Sequence, residues 1–287
     1  MEQSLFFQNE KSNFSLLKGD CLQVIPALDK KFDMVFADPP YFLSNDGLTV
    51  KNGKIQSVNK GTWDKLVSDN DAYAFTYEWL SAVREKMADN ATIWVSGTHH
   101  NIFTLGRILP QLGFKILNVI TWEKTNPPPN FSCRFFTHST EFIIWARKSA
   151  KIPHYFDYHL MKRLNNDKQM KDVWRLPAVA AWEKSCGKHP TQKPLALLAQ
   201  IILASTKPNA LILDPFTGGS TTGIAAQVLG RRFIGIDKEI EYLTLSKNRY
   251  LDLQAQGKKQ LFKQNFYRLL NVPSPTSQHP HPASAAQ

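Results

Sequence analysis

A chain of 287 residues, 43% hydrophobic and 21% charged, carries enough apolar material for one large α/β core and is neither disordered nor fibrous in composition. No stretch approaches the roughly 20 apolar residues of a membrane span; the opening MEQSLFFQNEKSNF lacks the basic and apolar regions of a secretory signal, and three separated cysteines (Cys21, Cys133, Cys186) supply neither a disulfide framework nor a zinc site, so a reducing cytoplasm is expected. The 35 Lys and Arg against 24 Asp and Glu leave a formal +11, which suits a polyanionic partner through counterion release, although a basic surface without a dedicated partner carries the same charge.

In chain order, short runs rich in β-branched and aromatic residues are expected as strands at Phe14–Lys18 and Met34–Ala37. The second runs directly into Asp38-Pro39-Pro40-Tyr41. In an open α/β sheet, ligands bind beyond the carboxyl ends of strands, so this tetrapeptide is placed for chemistry. Two prolines fix φ, remove two N–H donors and leave stiff carbonyl acceptors. The Asp38 carboxylate and the Pro39 carbonyl would each accept from an exocyclic base amine, favour a pyramidal nitrogen and localise its lone pair. Tyr41 would stack on a base taken out of its duplex. Read alone, the same four residues are a Pro-Pro turn capping a strand.

The stretch 42–64 is polar and Gly-containing and reads as a long loop, where substrate-contacting segments concentrate. A helix at Asp71–Ala88, a strand at Thr92–Ser96, a helix at Ile102–Leu112 and an antiparallel pair, Ile116–Trp122 and Glu141–Ala146, follow. The pair's connection holds Asn126, Asn130 and Arg134; Asn reads adenine bidentately, which makes this Pro-stiffened loop a candidate DNA contact. Trp122 and Phe136 read as core or pocket wall, and His99, His100, His138 and His189 as loop-fixing residues at the rim. From 148 to 188 the pattern becomes irregular and basic; Lys162, Arg163 and Lys168 mark it as a candidate target-recognition insertion off the sheet, or a solvated excursion.

The last third alternates again, with helices at Pro194–Ser205, Thr221–Leu229 and Ile240–Leu253 and strands at Leu211–Asp214 and Arg232–Ile236. Between Asp214 and the helix at Thr221 lies Pro215-Phe216-Thr217-Gly218-Gly219-Ser220, a strand–turn–helix unit whose glycines admit a ligand close to the backbone and whose helix N-terminus suits a carboxylate. Asp237 closes the next strand about 20 residues on, where an acidic residue reaches ribose hydroxyls. The turn is not GxGxxG, so an adenosyl cofactor fits better than a dinucleotide. Another loop, His189-Pro-Thr-Gln-Lys193-Pro194, leads into a helix, and 272–287 is a Pro/Ser/Ala/His tail expected to be disordered.

Taken together, DPPY, HPTQKP, DPFTGGSTT and GRRFIGIDKEIEYL, in this order, resemble the β group of DNA amino-methyltransferases over about Phe14–Leu251. The segment from Thr121-Trp-Glu-Lys-Thr-Asn through Phe136–Glu141 is most similar to adenine-N6 modification methylases of GATC and GANTC sites, including the second methylase of DpnII-type systems. The resemblance implies a Rossmann-like S-adenosylmethionine-dependent methyltransferase fold: a mainly parallel seven-stranded sheet, circularly permuted, with the catalytic half before the cofactor half. It implies that Asp20 accepts from the cofactor's adenine amine with help from the Cys21 N–H, and that Phe216, Gly218 and Ser220 cradle the methionine part, flanked by Asp214, Gly219 and Thr221. Asp237 would hold the ribose, with Thr191 and Lys193 at the methionine end. Where this chain has Gly218-Gly219-Ser220 the family usually has Gly-Ser-Gly; Ser220 costs about 1 kcal/mol if that position needs positive φ, and otherwise adds a hydrogen bond.

The expected organisation is a catalytic half (1–147), the basic insertion (148–188), a cofactor half (189–271) and the tail (272–287). The expected reaction is direct in-line methylation of adenine N6 in a specific DNA sequence, by base flipping, without metal or covalent enzyme intermediate. Cytosine-N4 methylation uses the same chemistry but is more often accompanied by Ser-Pro-Pro-Tyr. RNA or protein-glutamine methylation, and a non-catalytic DNA-binding protein on the same fold, are the other readings. The partners implied are DNA, a cognate restriction endonuclease and a second copy in a homodimer, with a place on the bacterial nucleoid and none in a membrane.

Overall fold

The structure is a computed structural model and describes all residues except 1–3, 12, 43–47, 52–53, 58–67, 128, 131–132, 188, 256 and 270–287. The expected tail, and most of the expected 42–64 loop, lie outside the described residues. In chain order the elements are β1 (Leu5–Gln8), β2 (Phe14–Lys18), α1 (Cys21–Val24), β3 (Phe32–Ala37), β4 (Leu48–Lys51), β5 (Lys54–Ser57), α2 (Asp69–Lys86), β6 (Met87–Gly97), α3 (Ile102–Gln111), β7 (Lys115–Lys124), β8 (Thr140–Arg147), α4 (Tyr158–Arg163), β9 (Val173–Leu176), α5 (Leu195–Ser205), β10 (Leu211–Asp214), α6 (Thr221–Val228), β11 (Arg232–Asp237), α7 (Ile240–Gln254) and α8 (Lys258–Leu269).

One sheet runs β1-β2-β11-β10-β3-β6-β8-β7-β9, and β4 and β5 form a separate hairpin. From β2 to β6 all neighbours are parallel; β8 is antiparallel to both β6 and β7, and β9 runs parallel to β7. Among the described residues the sheet has nine strands where seven were expected. The two additions are four-residue edge strands, half exposed and too short for a periodic signal. The stretch 148–188 is not wholly off the sheet, because β9 returns to pair Trp174 with Trp122.

Successive side chains of each strand point to opposite faces, so the central strands feed two cores. Val35 and Ala37 of β3, Ile93 and Val95 of β6, and Leu213 of β10 pack with Trp79, Leu80, Leu105 and Ile108 of α2 and α3. Met34, Phe36, Trp94 and Ile212 pack on the other face with Leu197, Leu198 and Ile201 of α5 and Ile224 of α6. Trp94 stacks on Trp145 with ring centroids 4.6 Å apart and donates from Nε1 to Ser205 Oγ at 3.1 Å. Every residue of α5 is buried, as its sequence LALLAQIILAS lacks a polar face. Its outer side is covered by Met161 of α4 and Leu164 just beyond it, against Ala196, Ala199 and Leu203. Pro194 cannot cap α5, and the carboxylate of Glu183 does so instead, accepting from Leu195 N at 2.7 Å and Ala180 N at 3.0 Å. Among the described residues, no helix is long and apolar enough to cross a membrane.

Candidate active site

Parallel strands bring their carboxyl ends to one edge, and the chain uses that edge repeatedly: Asp38 follows β3, Ser96 is the penultimate residue of β6, and Asp214 and Asp237 close β10 and β11. A cavity of about 270 Å³ opens there. Asp38, Tyr41 and Lys193 line it together with Phe216, Gly218 and Asp237. The two motif groups, more than 170 positions apart, therefore face one space because β3 and β10 are neighbours in the sheet.

At the DPPY end, Tyr41 Oη donates to Asp38 Oδ1 at 2.6 Å and lies 3.1 Å from Ser96 Oγ. Lys193 Nζ donates to Asp38 Oδ2 at 2.7 Å and sits 3.4 Å from Glu141 Oε2, while Glu141 Oε1 is 2.6 Å from Lys124 Nζ. Lys193 is only 7% exposed. Burial alone favours a neutral amine, but Asp38, Glu141 and Tyr41 hold its proton and push the pKa well above the ordinary lysine value. For Glu141 burial acts upward, and Lys193 and Lys124 overcome it, so the carboxyl stays below its usual range. Lys193, expected beside a cofactor's methionine end, lines the cavity, and its ammonium is bonded to Asp38.

At the glycine turn, Asp214 accepts from Thr222 Oγ1 at 2.6 Å and Phe216 N at 3.1 Å, and burial raises its pKa to about 7. Asp237 accepts from Gly218 N at 2.8 Å and Glu239 N at 2.9 Å; burial raises it to about 6 despite those donors. Each Asp237 oxygen keeps a second lone pair for a hydroxyl. Gly218 has φ +46°, and a Cβ there would meet the His189 ring at 2.9 Å, so this residue can hardly be other than glycine. Ser220 is also left-handed, at φ +52° and ψ 41°, and its fully buried Oγ pairs with Thr217 Oγ1 at 2.7 Å. Both sequence outcomes for Ser220 are realised together, and its side chain faces Thr217 rather than the cavity. Gly219, Thr221 and Thr191 line the cavity with the turn.

Asp20 does not line it. Its carboxylate caps α1 by accepting from Leu22 N at 2.9 Å and pairs with Lys238 Nζ at 2.7 Å. Cys21 does line the cavity, and burial followed by the Asp20 charge pushes its thiol up to about 12.

Several site residues were not found from sequence. Phe75 and Trp79 of α2 pack against Phe216 at centroid distances of 6.2 and 5.2 Å and form the aromatic wall. Ser246 Oγ donates to Gly218 O at 2.6 Å and Arg249 to Gly219 O, so α7 pins the turn from behind. Tyr242 packs edge-on against His189 at 4.3 Å, and burial drives the His189 pKa to about 4, leaving it neutral. Glu141 carried one signal, a carboxylate among the apolar residues of a strand.

The expected DNA contacts divide. Asn126, Asn130 and Arg134 lie in the β7–β8 connection, on the Asp38 edge, with Arg134 exposed. Both asparagines are engaged locally: Asn126 Oδ1 accepts from Ala178 N at 3.4 Å, and Asn130 Nδ2 donates to Phe135 O. Trp122 is buried as expected, whereas Phe136 is 96% exposed, because the connection passes beyond any covering layer. His99 stacks on His138 at 4.6 Å on the same rim. Lys162, Arg163 and Lys168 follow Asp157, whose N–H donates to Ala204 O at the end of α5 remote from Lys193, and the structure does not bring them to the cavity.

A profile of the DNA methylase family matches residues 32–248. The chain is 58% identical over 268 residues to the Type II methyltransferase M2.MboI of Moraxella bovis, covering 93% of this chain and 98% of that protein. It is 53% identical over 241 residues to the Type II methyltransferase M2.DpnII of Streptococcus pneumoniae, covering 83% and 90%. Among solved structures, the complex of M1.HpyAVI with SAM superimposes with a TM-score of 0.64 at 29% identity, covering 83% and 98%.

Proposed function

The chain belongs to the DNA methylase family, as a site-specific DNA methyltransferase dependent on S-adenosylmethionine, and from that premise we propose that it methylates N6 of an adenine flipped out of DNA, with Asp38 and Pro39 holding the acceptor nitrogen. The observation that carries this reading is that Asp38 and Asp237 line one cavity. The residues present suit the cofactor: Asp237 has lone pairs for ribose hydroxyls, Phe216 backed by Phe75 and Trp79 gives an apolar wall, and the cavity reaches the first turn of α6 for a carboxylate. S-adenosylmethionine, when bound, supplies an electrophilic methyl group on a sulfonium.

The chain's own part is positioning and electrostatics. A carboxylate offers about four lone-pair sites. Tyr41 occupies one on Oδ1 and Lys193 one on Oδ2, which leaves acceptor capacity for one N–H of the base amine. The Pro39 carbonyl, fixed by the following proline, takes the other N–H. With both N–H bonds held, the nitrogen lone pair is turned away from the ring and toward the cofactor side. Holding both reactants in that geometry is worth effective molarities of roughly 10⁵ M or more. The Tyr41 ring, tied by its hydroxyl to Asp38, is assigned the stacking face for the base.

DNA contact is assigned to the connection bearing Asn126, Asn130 and Arg134, and Lys162, Arg163 and Lys168 are assigned no base contact. The relatives' designation as Type II methyltransferases supports a cognate endonuclease as partner; a homodimer and a nucleoid location in the cytoplasm belong to the same reading. The test is methyl transfer from labelled S-adenosylmethionine to DNA, with hydrolysis to nucleosides. N6-methyladenine is expected from the wild type and no product from Asp38→Asn, which still binds cofactor. N4-methylcytosine as sole product would overturn the choice of acceptor.

A further inference from the structure

From the cavity wall outward runs a chain of four buried or half-buried charges of alternating sign: Asp38 and Lys193, which line the cavity, then Glu141 and Lys124 behind them. Resting on the catalytic reading of Asp38, we propose that Glu141 is a positioning residue for methyl transfer, acting on the Asp38 carboxylate through Lys193.

The argument starts from what a lone lysine can do. Its ammonium ends a flexible four-carbon stem, so one ion pair to Asp38 neither fixes its place nor fixes the rotation of the carboxylate it touches. Glu141 supplies the second anchor, an ion-pair contact at 3.4 Å from Nζ beside the 2.7 Å bond to Asp38 Oδ2. That anchor is rigid. Glu141 sits near the start of β8, directly paired with Trp122 of β7, and its other oxygen is held by Lys124 at 2.6 Å from the end of β7. Lys193 itself lies two positions before α5, and the start of that helix is tied down by the buried Glu183. The Lys193 ammonium is thereby suspended between the β7–β8 pair and α5, and Asp38 Oδ2 is fixed relative to both.

Tyr41 fixes Oδ1 in the same way, from Ser96 at the end of β6. A carboxylate held at each oxygen presents its remaining lone pairs in one direction, which a hydrogen bond from the base amine needs if the nitrogen is to line up with the methyl group. Lys193 also keeps a cation beside Asp38. Glu141 balances that cation, and Lys124 balances Glu141, so removing any member misplaces or unpairs the next.

A role in mere charge balance predicts lost stability or lost cofactor binding; positioning predicts lost rate. Glu141→Gln keeps the shape and removes the charge. The expected result is a single-turnover methyl-transfer rate down by about 10- to 100-fold at saturating S-adenosylmethionine, with cofactor affinity retained. Lys193→Met is expected to lose more, and adding Glu141→Gln to it should cost no further rate, since the intermediary is already gone. An unchanged rate in Glu141→Gln, or rate losses that multiply in the double variant, would overturn the proposal. If Glu141→Gln does not fold, Glu141→Gln with Lys124→Met removes the outer bridge as a pair and gives the same readout. Full transfer by Asp38→Asn would instead sink the catalytic reading itself, which keeps the two failures apart.

Discussion

Ser220 offers the sharpest test of how the glycine turn is built. Its left-handed backbone costs a side-chain-bearing residue about 1–2 kcal/mol. The buried hydroxyl pair with Thr217 returns about 1 kcal/mol. Ser220→Ala keeps the strain and loses the pair, so it should destabilise the protein by about 1 kcal/mol, or nearer 3 if Thr217 Oγ1 is left without a partner. Ser220→Gly also loses the pair but relieves the strain, less about 0.5–1 kcal/mol for glycine's larger loss of backbone freedom. It should therefore melt above the alanine variant and close to the wild type, with each 1 kcal/mol worth about 2–4 °C in a chain of this size class. Thermal unfolding without ligand measures the order. Calorimetric titration with S-adenosylmethionine should show affinity unchanged in both variants, because the Ser220 side chain does not line the cavity. An alanine variant as stable as glycine would refute the strain argument, and one as stable as wild type would refute the role of the hydroxyl pair.

Three other outcomes are expected. Asp214 and Asp237 have pKa values raised by burial to about 7 and about 6, so the folded state holds their protons more tightly than the unfolded chain. Their contribution is fully present below about pH 4 and lost as pH rises toward 7; Asp214→Asn should flatten the fall in ligand-free melting temperature over that window, and a slope equal to wild type would contradict it. Cys21, with its thiol pushed up to about 12, should resist alkylation at neutral pH while exposed Cys133 labels, read by mass spectrometry of the native protein; rapid labelling of Cys21 would contradict its burial. Arg134→Ala should weaken DNA binding and reduce the salt slope by about 1, whereas a larger loss from the Lys162→Ala/Arg163→Ala pair would mean that DNA runs over α4 instead.

The central strands were legible because each is a run of apolar residues buried on both faces, as in Met34–Ala37 and Leu211–Asp214. DPPY and the glycine turn were legible because each sits where such a strand ends. Edge strands were not: Leu5–Gln8 and Val173–Leu176 are four residues long and owe their state to a neighbour's hydrogen bonds rather than to their own pattern. Nor does local sequence reveal that Lys193 reaches Asp38, 155 positions away, or that Ser246 and Arg249 hold the carbonyls of Gly218 and Gly219. These are consequences of strand order, which a linear pattern does not encode. Ser220 lies between the two cases, since sequence narrowed it to strain or a hydrogen bond and only geometry could supply both.

The pairing of β3 with β10, register Met34 to Ile212 and Val35 to Leu213, sets a scale for the whole molecule. The gap between the chain that offers Asp38 and the chain that offers the glycine turn is one interstrand spacing, about 4.7–4.9 Å. It is maintained by backbone hydrogen bonds that no side-chain replacement short of proline removes. The β7–β8 connection, to which DNA contact is assigned above, lies outside this ladder. The chain can therefore change which sequence it reads without altering how far a methyl group has to travel.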